Sequence, residues 1–115
     1  MSNGWIGVDL DGTLAHYDGW NGATHIGEPV PAMLARVKGW LGEGLDVRIF
    51  TARVSHDGTA SRATEAMFAS YAIMEWCEKH LGRVLPITNV KDYSMVQLWD
   101  DRAVQVRTNT GEPIG

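Results

Sequence analysis

Two aspartates two residues apart, Asp9 and Asp11, close a short apolar run and are followed at once by Gly12 and Thr13. A second acidic pair, Asp100-Asp101, follows another apolar run, Met95 to Trp99. Four carboxylates drawn together repel one another, and burial raises the pKa of some of them by disfavouring the charged form. A hard cation with oxygen ligands removes the conflict, and magnesium (Mg2+) fits best because it accepts few protein ligands and keeps water and substrate oxygens. The chemistry such a cation permits is attack by a carboxylate on a phosphate ester. Two anions repel, but a metal bridging both cancels the repulsion and holds them in line, the main requirement of phosphoryl transfer. Gly12 implies that the chain turns after Asp9, aiming one carboxylate and a neighbouring main-chain carbonyl at the cation. Donors and positive charges complete the set. Thr51 can donate to a phosphoryl oxygen, Lys91 can neutralise nucleophile and transferred group, and Arg53 and Arg102 can clamp a phosphate.

These residues need elements that bring them together. Trp5 to Asp9 reads as a buried strand. Residues 15–31 carry Gly19, Gly22, Gly27, Pro29 and Pro31 without sustained periodicity, the mark of an irregular flap. Pro31 opens a helix with Met33, Val37 and Leu41 on its apolar face, closed by Gly42 and Gly44. Leu45 to Phe50 alternates as a second strand and delivers Thr51 at its end. After a polar loop, Ser61 reads as the N-cap of a helix to Leu81. Ala63, Met67, Ser70, Ile73 or Met74, Cys77 and Leu81 keep its helical step, with Met67, Met74 and Cys77 read as core, and Gly82 closes it. Val84 to Thr88 is predicted as a third strand, irregular or at an edge because of Pro86. Met95 to Trp99 is the fourth, and Ala103 to Arg107 a short fifth. Strands alternating with helices predict an α/β fold, a Rossmann-like, mostly parallel sheet flanked by helices. In such sheets ligands gather beyond the carboxyl ends of the strands, where Asp9, Thr51 and Asp100-Asp101 all fall.

The 115 residues suit one domain over residues 1–115. A formal charge of −4 argues against a protein built mainly to grip nucleic-acid backbone. The single cysteine, Cys77, excludes an intramolecular disulfide and is read as buried packing. No run approaches the ~18 apolar residues of a membrane span, and Met1-Ser2-Asn3-Gly4 lacks the basic and apolar regions of a signal peptide. A cytoplasmic protein with no membrane partner is the expectation. The tryptophans read as core, with Trp20 the exception, and His56 and His80 as surface residues. His16, Tyr17, Trp20, His25 and Glu28 cluster in the flap and are read either as a reader of the leaving group or as loop packing.

Taken together, Asp9-Leu10-Asp11-Gly12-Thr13-Leu14, then Thr51, Lys91 and Asp100-Asp101 in that order resemble the four motifs of haloacid dehalogenase (HAD) superfamily phosphatases. They span Trp5 to Arg102. The resemblance implies that Asp9 is the nucleophile that becomes an aspartyl-phosphate and that Asp11 is general acid and base, with its main-chain carbonyl on Mg2+. It gives Thr51 and Lys91 the remaining catalytic roles, places substrate contacts at Gly12, Thr13, Ala52, Arg53 and Arg102, and draws the metal site from Asp9, Asp11, Asp100 and Asp101. Larger members insert cap domains; only the flap and one helix occupy those places here, so the chain is similar to the small capless members and its final helix is expected to be absent. An uncapped site calls for a large substrate or for a second copy of the chain to cover it. The substrate is expected to be a small phosphorylated molecule, a nucleotide or a sugar phosphate. The aspartate pair followed by Arg102 is similar to polynucleotide phosphatase domains, so a nucleic-acid terminal phosphate is a further candidate, weakened by the acidic charge. Two rival readings are a magnesium-binding interaction module without turnover and a phosphotransferase.

Overall fold

A computed structural model describes residues 4–115; the first three residues of the N-terminal stretch read above lie outside the described residues. Four parallel strands, β1 (Trp5–Asp9), β2 (Asp46–Phe50), β3 (Ile87–Thr88) and β4 (Met95–Trp99), form one sheet in the order β3-β2-β1-β4. Two helices, α1 (Pro31–Gly42) and α2 (Ala60–Leu81), make the crossovers from β1 to β2 and from β2 to β3. The fold is α/β and Rossmann-like with no separate cap domain. Both crossovers step the same way along the sheet, so right-handed connections put both helices on one face. Side-chain parity agrees. Ile6, Val8, Val47 and Ile49 join Met33, Val37 and Leu41 of α1 and Ile73, Trp76 and Cys77 of α2 in a single core. The opposite parity carries Trp5, covered by the Arg48 guanidinium 4.7 Å from its ring. No helix is long and apolar enough to cross a membrane among the described residues.

α1 starts with Pro31 in its first turn and buries Met33, Val37 and Leu41, as its spacing predicts. α2 differs from its sequence reading in two respects. Its N-cap is Thr59, extended at φ −85° and ψ 151°, whose hydroxyl accepts the Arg62 N–H at 3.2 Å; Ser61 lies inside the first turn. Its buried stripe is Ala66, Ala69, Ile73, Trp76 and Cys77, while Met67 and Met74 are exposed. Cys77 is buried as expected, and of the alternatives Ile73 and Met74 it is Ile73 that packs inward; one turn earlier Ala66 and Ala69 are buried in place of Met67. Small Ala66 and Ala69 carry little hydrophobic signal, yet they let the helix approach closely. His80 is half-buried against Trp76, ring centroids 4.6 Å apart, rather than free at the surface. Gly82 ends α2 in the left-handed region at φ +76°.

Only Ile87–Thr88 of the predicted third strand pairs, at the sheet edge beside β2. The predicted fifth strand is not formed: residues 102–115 contain no helix and only one isolated bridge, Val106 to Pro113. Every residue of that segment is exposed, so it buries no face that would hold it to the sheet.

The sheet's hydrophobic centre sets its stability. Ile49 is fully buried between β1 and β3. Ile49→Ala is expected to cost roughly 2–5 kcal/mol in urea unfolding, and Val104→Ala in the exposed tail to stay within about 0.5 kcal/mol.

Candidate active site

The strand order reverses at β1: the chain proceeds through β2 to β3 on one side and returns with β4 on the other. That switch point opens a crevice at the carboxyl ends of the strands. Val8 pairs with Trp99, so the next residues, Asp9 and Asp100, leave the sheet side by side. Asp9 pairs with Phe50 on its other flank, which places Thr51 next in line. One oxygen each from Asp9, Asp100 and Asp101 lies within 4.8 Å of the others. Among the described residues no lysine or arginine forms an ion pair with any of the three. Burial first, then the charge of Asp100 and contact with Asp101, push the Asp9 carboxyl up to about 7.

The turn after β1 explains the Gly-Thr that follows the aspartates. The N–H groups of Leu14 and Ala15 return to the Leu10 carbonyl at 3.0 and 2.8 Å, and the Gly12 N–H donates to the Ala15 carbonyl at 2.9 Å. Gly12 sits at φ +87°, and a Cβ there would lie 2.4 Å from Oδ2 of Asp101. Only glycine satisfies both the backbone and the carboxylate packed against it. The Thr13 hydroxyl accepts the Asp101 N–H at 3.1 Å and has Oδ2 of Asp9 and Oδ1 of Asp101 each at 3.4 Å. It binds the β1 turn to the β4 turn.

Asp11 faces elsewhere. Its carboxylate takes two hydrogen bonds from Arg53, Nε at 2.7 Å and Nη2 at 2.8 Å. The side chain therefore stays out of the three-carboxylate group, leaving Asp11 its main-chain carbonyl as the atom to offer a cation. Arg53 is only 6% exposed. Its Nη1 donates to the flap carbonyls of Ala23 at 3.1 Å and Gly22 at 3.4 Å, and its guanidinium lies 4.9 Å from the centre of the Trp20 ring. A guanidinium so committed holds Asp11 and the flap in place and has little left to clamp a phosphate.

Thr51 is 2% exposed and accepts the Arg53 N–H at 3.1 Å. Its oxygen thus caps the short 3-10 turn Ala52–Val54, and its own hydrogen is left to donate into the cleft. The cleft, of about 360 Å³, is lined by Asp9, Asp11, Thr51, Ala52, Arg53, Asp100, Asp101 and Arg102, with Tyr17 and Trp20 of the flap. Lys91 is exposed and borders a separate hollow that Asp100 also lines, rather than the cleft itself. His16 and His25 do not line the cleft, and Glu28 lines a different groove against α2.

Arg62 was not anticipated. It lines the cleft and ties α2 to the loop beneath it, donating to the carbonyls of Ser55 at 2.8 Å and Arg53 at 2.5 Å and pairing with Glu65. From sequence it reads as one half of an ordinary i,i+3 helix pair.

No family model matches the chain, and no curated protein matches it. A solved structure, that of a conserved protein from Bacteroides thetaiotaomicron, is similar over 88% of this chain and 78% of that one, at 22% identity and a TM-score of 0.56. At that identity the likeness concerns the fold alone.

Two outcomes are expected. Gly12→Ala should destabilise the fold by roughly 1–3 kcal/mol in urea unfolding, because strain and steric conflict coincide there. For pH, the ordinary Asp9 value of 3.8 rises to about 7 in the folded chain. The folded protein then holds a proton that the unfolded chain has released between those values, so stability falls as pH rises through that window. Thermal melting in EDTA should show a decline from pH 4 to pH 7 that is shallower in Asp9→Asn.

Proposed function

We propose that the chain is a magnesium-dependent phosphomonoester hydrolase of the HAD type, acting through an aspartyl-phosphate on Asp9. The observation that carries the reading is the convergence of Asp9, Asp100 and Asp101 within 4.8 Å, with no cationic side chain paired to them among the described residues. An all-oxygen donor set of this kind suits Mg2+, held by those three carboxylates and the Asp11 carbonyl. When bound, the ion would offset the repulsion between the carboxylates and a phosphate and polarise the phosphoryl oxygens.

The chain's own groups supply the rest. An Asp9 oxygen attacks phosphorus, and the bond from phosphorus to the ester oxygen breaks as Asp11 delivers a proton to that oxygen. Asp11 then takes a proton from water, whose oxygen attacks the same phosphorus, releasing Asp9 and inorganic phosphate. Each carboxylate oxygen has two lone-pair sites, so with Arg53 bonded to both oxygens Asp11 keeps a free site that takes up a proton from solvent before the first step, the proton the ester oxygen then receives, and accepts one from water in the second. The Thr51 hydroxyl donates to a phosphoryl oxygen, Arg102 contributes charge at the cleft wall, and Lys91 would have to turn in from the neighbouring hollow to add its charge. The lone buried Cys77 suits a cytoplasmic setting.

Hydrolysis of p-nitrophenyl phosphate is expected with Mg2+, abolished by EDTA, and reduced at least about a thousandfold in Asp9→Asn. Lys91→Ala is expected to lose on the order of tenfold to a hundredfold in kcat; unchanged turnover would remove Lys91 from the site. The position of Lys91 outside the cleft favours a second reading, a magnesium-binding interaction module, and failure to turn over any phosphomonoester while Mg2+ still binds would establish it. Transfer of phosphate to added alcohols in place of water would mark a phosphotransferase.

A further inference from the structure

The outer wall of the cleft, where a leaving group would lie, is aromatic and firmly held. Trp20 is 53% exposed, and Tyr17 is exposed in the same wall. Trp5 and Trp76 are buried in the fold, and Trp40 and Trp99 pack on each other with ring centroids 5.2 Å apart. Trp20 is thus the tryptophan left most exposed among the described residues. An indole left half in water forgoes much of its burial free energy, which calls for a reason.

Its placement is specific. The Arg53 guanidinium under the ring is itself pinned by Asp11 and by the carbonyls of Gly22 and Ala23. The backbone turns at Gly19 and Gly22, φ +127° and +104°, on either side of Trp20. The base of the flap is closed by His16 N–H to the Glu28 carbonyl and Val30 N–H to the Leu14 carbonyl, both 2.8 Å, and by Trp76 Nε1–H to the Gly27 carbonyl at 3.0 Å. At Gly27 the two arms of the flap touch, since a Cβ there would lie 2.1 Å from the His16 carbonyl oxygen.

The Arg53 guanidinium covers part of the indole, and the ring, 53% exposed and lining the cleft, keeps π surface on which a second planar group can stack. The neighbouring arginines Arg53 and Arg62 spend their donors inside the protein, so this wall offers π surface rather than the hydrogen bonds a sugar hydroxyl would need. Resting on the phosphohydrolase reading, we infer that Trp20, with Tyr17, binds the base of a nucleoside monophosphate whose phosphate lies over Asp9. The formal charge of −4 favours a single nucleotide over a polynucleotide, whose backbone asks for basic surface.

The test compares wild type, Trp20→Ala and Trp20→Phe with Mg2+ on nucleoside 5′-monophosphates, ribose 5-phosphate and a 3′-phosphorylated oligonucleotide. Binding of the same compounds is measured by calorimetry in an Asp9→Asn background. Trp20→Ala should lower the preference for nucleotide over ribose 5-phosphate by on the order of tenfold to a hundredfold, through KM and Kd, and Trp20→Phe should restore most of it. An equal loss on both compounds would mean that Trp20 only props Arg53, and would overturn the inference, as would a loss confined to the oligonucleotide. Trp20-dependent nucleotide binding without turnover of any ester would uphold the base site and sink the hydrolase reading. Ester hydrolysis with no Trp20-dependent preference would do the reverse.

Discussion

Three carboxylates held within 4.8 Å of one another, with no arginine or lysine paired to them among the described residues, are the constraint around which the rest of this small fold is arranged. Mutual repulsion and partial burial both work against their charged forms, which is why Asp9 rises to about 7. Such an arrangement persists only where the backbone enforces it. Here the enforcement comes from strand pairing: after a register shift between Trp5 and Ile6, β1 and β4 run in step from Ile6–Gln97 to Val8–Trp99, so Asp9 and Asp100 emerge together whatever their charges prefer. Thr13 then links the two strand ends, and Gly12 leaves room for Asp101.

Arg53 plays the complementary part. The one arginine buried in this structure among the described residues gives a two-point clamp to Asp11, two bonds to flap carbonyls and a face to Trp20. Bidentate guanidinium-carboxylate pairs fix geometry as well as energy. A single side chain therefore couples the acidic turn, the loop after β2 and the flap. A chain with no separate cap domain needs some such link if the flap, which lacks helix and strand up to Pro31, is to hold one shape, and the backbone contacts at its base supply the remainder.

Much of this was legible in the sequence because the signals are local. Apolar runs ending in aspartate gave β1 and β4, spacing of four gave the buried face of α1, and Pro31 and Gly82 marked helix ends where their backbone preferences require. Reading failed where two registers fit almost equally well or where pairing partners decide. Met67 and Met74 looked like core because methionine is apolar, but the buried positions beside them are Ala66 and Ile73. Residues 103–107 have strand propensity, but Gln105 to Arg107 pair only back onto Glu112 to Ile114 and not onto the sheet.

The sequence by itself determined the acidic motifs, the α/β alternation and the strand ends at which the carboxylates lie, since each depends on residue type and short-range spacing. Only the tertiary structure decided which carboxylates meet and which is claimed by a cation. Asp9 joins Asp100 and Asp101 across roughly ninety residues of chain through parallel pairing, while Asp11, two positions away, is drawn off by Arg53 from the end of β2. Likewise, the hollow that Lys91 borders and the ring that covers Arg53 follow from how loops cross the sheet's edge. Those are contacts between residues distant in sequence, and no local pattern encodes the direction in which such side chains turn.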